Sequence, residues 1–256
     1  MDSVLITQGR VIGALVLRET RTTFGASQLG YLWAILNPAV GVALLTAIFT
    51  AVGRVAPFGT SLALFFATGL LTFELYKKLS TSLMVAFEAN QALMTYPLVQ
   101  ALDVIIARAI LILATYILVM FLFFGGLIAL QLAHLPANFE EVAAAIFVTS
   151  LLGTGVGTTY AVICSVFGTW KQIEGILSRP LFFMSGIFYV PHKFPPEIVN
   201  VLSWNPVLHL VEWMREGYYP NYNSVVLDKP YVLAFTLISL LVGFGSERLY
   251  RKSRAR

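Results

Sequence analysis

The sequence predicts an all-α integral membrane protein: six transmembrane helices, an N-terminal amphipathic interface helix, and short outer-side half-helices between spans five and six. Three observations carry this. Hydrophobic residues make up 58% of the 256 and charged residues 12%, whereas soluble domains run about 45–50% apolar and about 25% charged. Several apolar runs approach the roughly 17–25 residues that a helix needs to cross a bilayer. The Lys and Arg residues divide unevenly between alternate loops, as they do where charge sets membrane orientation.

The elements follow in chain order. In residues 3–24, Val4, Leu5, Val11, Ile12, Leu15 and Val16 recur near helical spacing and Arg10, Arg18 and Arg21 interrupt them. This reads as a helix lying in the membrane interface; packing on a partner protein is compatible with it. No cleavable signal peptide is expected, because charges break the first apolar stretch, so the first span would serve as an uncleaved signal. The six apolar segments are Trp33–Val52, Leu62–Leu79, Val104–Leu130, Val142–Phe167, Ile176–Val190 and Tyr231–Ser246. Between the last two, Pro195, Pro196, Pro206 and Pro220 punctuate a stretch rich in Leu, Val and Trp. It reads as two short amphipathic helices near Glu197–Ser203 and Val207–Glu216, at the outer interface or dipping into it. Irregular backbone at membrane depth is tolerated only when protein buries it or it lines a cavity. Residues 1–256 are expected to form a single transmembrane domain, with 3–24 at the interface, 87–99 between spans two and three, and 191–230 outside.

Placing the N-terminus inside puts thirteen of the 17 Lys and Arg on the cytoplasmic side, and only Arg54, Lys193, Arg215 and Lys229 outside. Both termini are then cytoplasmic and the span count is even. The net charge of +4 and pI of about 9.2 serve topology, and no nucleic acid is expected. The one cysteine, Cys164, excludes an internal disulfide and a multi-cysteine metal site; its apolar neighbours suggest buried packing.

Chemistry is sparse. The phosphate-binding pattern G-x-x-x-x-G-K-[ST] is absent, and so are H-E-x-x-H and G-x-S-x-G, so the chain is not expected to hydrolyse ATP by itself or to act as an enzyme. His209, Glu212 and Glu216 share a helical face, which a solvated surface explains without a metal; none is expected. Glu74 sits inside the second segment, where a carboxylate costs roughly 2.5–3.5 kcal/mol. Two readings stand: an ion pair with Lys77 or Lys78 one turn on, or the polar lining of a path. In the fourth segment Gly153 and Gly157 permit close helix approach. Aromatic residues near span ends form an interface belt, or offer faces on which sugars stack.

Three stretches carry a family resemblance. The first runs from Arg18 through Gly25-Ala26-Ser27-Gln28-Leu29-Gly30-Tyr31-Leu32-Trp33 to Asn37-Pro38. The second is Asn90-Gln91-Ala92-Leu93-Met94-Thr95-Tyr96-Pro97-Leu98-Val99, followed by Asp103 and Ala107-Arg108. The third is Arg179-Pro180-Leu181-Phe182-Phe183-Met184-Ser185-Gly186-Ile187-Phe188-Tyr189, followed by Trp204-Asn205-Pro206. Together they resemble ABC-2-type export permeases, and among them the capsular polysaccharide export permeases of Gram-negative bacteria. The first stretch is shared with O-antigen and teichoic acid exporters; the other two favour capsule export.

The resemblance implies an inner-membrane homodimer bound to two ATPase subunits, which hold the ATP and Mg, with no cofactor in this chain. It implies an inner-membrane adaptor, an outer-membrane polysaccharide export protein, and a lipid-linked, acidic polysaccharide as substrate. Residues 87–99 fall where such permeases place a coupling helix, ended by Pro97, with Asn90, Leu93, Met94 and Tyr96 facing the ATPase. Arg18, Arg21 and Arg179 are expected around the lipid-end entrance. Tyr31, Trp33, Tyr76, Phe182 and Tyr189 are expected in the lining, with Glu74 nearby. Weak, repeated contacts suit a sliding polymer, since conduction needs sites that release. The competing classes are an exporter of another glycan, a membrane-embedded lipid-linked transferase, and an ion-coupled carrier. A transferase needs a cluster of acids or a nucleophile–base pair at one depth, and none is evident; a carrier often has matched internal repeats, and broken segments occur only towards the C-terminal half.

Overall fold

The computed structural model describes residues 2–24, 28–96 and 99–254, with side-chain surroundings for 8–22, 32–33, 36–96 and 99–250. Within these residues every regular element is a helix. Helix α1 (Asp2–Phe24) lies along the start of α5 (Ala101–Ala129), with Leu15 buried between. Helix α2 (Gln28–Ala51) has a stripe of exposed apolar residues four apart: Leu32, Leu36, Val40, Leu44 and Ile48.

Helix α3 (Leu62–Met84) is the centre of the bundle. Ser61 caps it by accepting the Leu64 backbone N–H at 3.2 Å, and every residue from Leu64 to Phe73 is buried. Helix α6 (Phe139–Val166) is wedged between α3 and α10 (Lys229–Arg254), and its glycines explain how. Those at 153 and 157 face α3, where an added Cβ would stand 2.8 Å from the Cβ atoms of Leu79 and Leu83. Gly155 faces α10, where it would meet the Leu240 backbone nitrogen at 2.7 Å. One small-residue helix thus admits a neighbour on each side. Its hydroxyls cause no penalty in this apolar setting, because Thr149, Thr154 and Thr158 each donate to the carbonyl four residues back.

Helices α5, α6 and the Lys229–Tyr250 part of α10 are long and apolar enough to cross a membrane, while the apolar part of α2, Leu36–Ala51, is shorter. Helix α3 has the length but carries Glu74, Lys77 and Lys78. Helix α7 (Trp170–Met184) has only 15 residues, about 22 Å at 1.5 Å per residue, against a hydrocarbon core of about 30 Å. It overlaps the predicted segment Ile176–Val190 but begins and ends about six residues earlier. Its start is drawn back because Glu174 is buried and accepts from Lys77 Nζ at 2.8 Å. Its end is set at Gly186, whose φ of 74° breaks the helix.

Beyond that break the chain re-enters the bundle. Helix α8 (Pro196–Leu202) exposes Ile198 and Val201. In helix α9 (Pro206–Tyr218) every residue from Val207 to Arg215 is buried, packed against α3 and α6. Asn205 starts it, accepting from the Val207 N–H at 3.0 Å, with Pro206 in the first turn. Between α3 and α5 there is no single helix over 87–99. A one-turn helix α4 (Ala86–Ala89) is followed by a 3₁₀ turn at Leu93–Thr95. The predicted stop at Pro97 lies outside the described residues.

Candidate functional site

Two clefts lie toward the end of the bundle where α3 and α6 finish and α5 begins. The first, about 450 Å³, opens between α2, α3, α5 and α7, and its walls include Trp33, Glu74, Lys77, Lys78, Arg108, Tyr116 and Phe182. Three of the expected path residues therefore meet: Trp33, 66% exposed, Glu74 and Phe182. Tyr116 and Lys78, four residues on, stand near the Glu74 carboxylate on the same wall. Lys77 turns instead to Glu174. Glu74 therefore lies on the cleft wall, and neither lysine one turn on forms a close ion pair with it. Phe182 packs edge-on against Phe73 at 5.2 Å and Phe188 at 5.3 Å, extending an aromatic wall toward the far end.

Other expected residues lie elsewhere. Tyr76 is buried in the core beside α6 and is not on the cleft wall. Tyr189 stands past the end of α7, half-buried, its hydroxyl donating to the Met184 carbonyl at 3.1 Å and its ring against Phe194. The side chain of Tyr31 lies outside the described residues. The three arginines do not share the cleft. Arg18 donates to Asn90 Oδ1 at 2.6 Å, while Arg21 and Arg179 are exposed. The cations on the cleft are Lys77, Lys78 and Arg108. Arg108 is nearly buried, paired with Glu19 of α1, and donates to the Ser82 carbonyl at 3.0 Å. Its partner lies 89 positions away, so no local pattern marks it.

The second cleft, about 670 Å³, lies between the 86–100 segment, the α6–α7 junction and the end of α10. Met94 and Tyr96 line it. Leu93 and Met94 rest partly on the core, while Tyr96 is 63% exposed. Asn90 is buried, bonded to the Ala86 carbonyl and to Arg18, and so ties the segment to α1. Lys171 of α7 pairs with Glu88 of α4. Cys164, expected in buried packing, is only half-buried and faces this cleft. No cluster able to hold a metal occurs among the described residues. The expected solvated face of His209 and Glu212 is instead buried: His209 bonds the Ser203 carbonyl through Nε2 and accepts the Asp228 N–H through Nδ1.

Comparison with known proteins gives a consistent result. Residues 10–219 match the family model described as ABC-2 type transporter. The polysialic acid transport protein KpsM of Escherichia coli is 34% identical over 244 residues, covering 94% of this chain and 92% of that protein. The capsule polysaccharide export inner-membrane proteins BexB of Haemophilus influenzae and CtrC of Neisseria meningitidis serogroup B are 26% and 27% identical. Each alignment covers 97% of this chain and 94% of the relative.

Proposed function

Because the chain belongs to the ABC-2 type transporter family, we propose that it is the transmembrane subunit of an exporter that carries a lipid-linked capsular polysaccharide across the bacterial inner membrane. The likeness to three kinds of capsule and polysialic acid permease, over nearly the whole chain, supports this substrate class. ATP would be hydrolysed by two copies of a separate ATPase docked on the 86–96 segment, with Leu93 and Met94 as its base, Tyr96 as its exposed anchor and Asn90 holding the segment to α1. Two copies of the permease would form the path, and an adaptor and an outer-membrane protein would continue it. Both termini would face the cytoplasm.

Arg179 carries the argument for an acidic polymer. Glu174, earlier on α7, pairs with Lys77, and Phe182, later on it, packs on Phe73. Arg179 therefore sits level with residues 73–77 of α3, the middle of a helix running from 62 to 84, and it is exposed there. An arginine facing lipid within the bilayer is costly, by about 2.5–3.5 kcal/mol at the centre. A face that carries it is suited to a water-filled passage between two copies, where a sugar carboxylate or lipid phosphate can meet the guanidinium. Arg18 and Arg21, nearer the interface, are proposed to draw the anionic lipid end in. Trp33, Glu74 and Phe182, with Tyr31, Tyr76 and Tyr189, are proposed to line or support the route.

Arg179→Gln should abolish most surface polysaccharide while expression and ATPase association stay normal, and Arg179→Lys should retain part of the export. Wild-type export by Arg179→Gln would overturn the assignment. Export of another glycan, such as O-antigen or teichoic acid, is the second reading, since the 18–38 stretch is shared with those exporters; expression beside each biosynthetic system would separate the two.

A further inference from the structure

Arg215 and Glu212 of α9 form an ion pair with both side chains 0% exposed. Arg215 Nη1 lies 3.1 Å from Glu212 Oε1 and also donates to the Tyr189 carbonyl at 3.1 Å; Nη2 donates to the Ile187 carbonyl at 3.4 Å. The guanidinium lies 4.0 Å over the Phe65 ring of α3. Glu212 in turn accepts from the Tyr222 hydroxyl and from Ser224 at 2.7 Å, in the connection to α10. One arginine thus links the turn after α7, the wall of α3 and the connection after α9.

Gly69 leaves room for the guanidinium, and Gly186 lets the turn lie close on α9. A Cβ on Gly69 would stand 3.1 Å from Arg215 Nη2 and 3.2 Å from the Ile187 Cα; one on Gly186 would strike Leu208 at 2.6 Å. Gly69 is seven residues into α3, about 10 Å from its start. At that depth the carbonyls of a broken helix have no water to accept from and need a donor from the protein. A buried ion pair is by itself a weak source of stability compared with apolar residues of the same volume. What apolar residues could not supply here is the forked set of donors aimed at two carbonyls of one turn. That turn carries Phe188, which stacks with Phe183 and packs edge-on against Phe182.

We propose that Arg215 is a positioning residue for export. It holds the 185–190 turn against α3, and so places Phe188 and Tyr189 at the outer end of the path, beyond Phe182, without touching substrate. The functional half of this rests on the export reading above; the structural half does not. The test uses the full-length chain with Cys164→Ser and Ser185→Cys, since Ser185 is fully buried at the start of the turn. An impermeant thiol reagent is added outside intact cells. Glu212→Gln/Arg215→Met removes both charges at similar volume, and Arg215→Lys keeps the charge but loses the fork. In both, labelling of S185C should rise by about tenfold, the scale expected when hydrogen bonds to a charged group are lost. Surface polysaccharide should fall, with expression and ATPase association unchanged. If the double variant does not accumulate, Arg215→Lys decides alone. Unchanged labelling overturns the proposal whatever polymer is exported. Raised labelling with normal export overturns the positioning role and leaves a purely structural clamp.

Discussion

Arg108 and Glu19 come together from helices far apart in sequence, each side chain about nine-tenths buried. Removing one partner strands the other charge, so Glu19→Gln or Arg108→Met should destabilise the chain by about 3–5 kcal/mol. The double variant Glu19→Met/Arg108→Met should recover much of that, because a neutral pair leaves no buried charge. Thermal melting of the detergent-purified protein measures both. Lys171–Glu88, by contrast, is solvent-exposed, and Lys171→Ala should leave the melting temperature unchanged. The charges themselves were visible in the sequence. Their partners were not: Lys77 and Glu174 are 97 positions apart, Arg18 and Asn90 72, and helical periodicity reports only on residues one turn away. For the same reason Arg18 was expected beside Arg179, while the fold attaches it to the 86–96 segment.

Among the elements, α6 makes the sharpest test. Gly155→Leu would drive a side chain into the α10 backbone and should cost about 1–3 kcal/mol or more through overpacking. An added Cβ at Gly125 of α5 meets nothing within 4 Å, so Gly125→Leu should be neutral. Melting temperature and yield of monodisperse protein distinguish the two. The 86–96 segment separates in the same way. Tyr96 is exposed, and Tyr96→Asp should weaken ATPase association without destabilising the permease. Leu93 rests on the core, and Leu93→Asp should lower stability as well. Co-purification of the ATPase beside a melting curve checks both. Element type and order were legible from apolar runs and proline spacing. The limits of α7 were not, because they depend on the Lys77–Glu174 pair and on the left-handed turn at Gly186, neither of which an apolar run encodes.

At the scale of the whole molecule, orientation is the open quantity with the most direct experiment. In a Cys164→Ser background, cysteines introduced as Thr60→Cys, Asn138→Cys and Asn223→Cys, all at exposed positions, should react with an impermeant thiol reagent added to intact cells. Gln91→Cys, equally exposed in the fold, should react only after the cells are opened. Reaction of Q91C in intact cells would overturn the cytoplasmic placement of the 86–96 segment.

Composition and periodicity were enough to determine an all-helical membrane protein, the order of its helices, the amphipathic start and the punctuated stretch before the last helix. Each depends on residues close together in the chain, where helix pitch and the bilayer's demand for apolar length act directly. Which residues share a cleft was decided only by tertiary packing. The interior placement of α9, the seating of Arg215 over Phe65, and the joining of Trp33 and Glu74 to Arg108 all require helices distant in sequence to come together. The small residues of α6 and the bare surface at Gly69 allow that approach, and side-chain complementarity, which no local pattern contains, selects it.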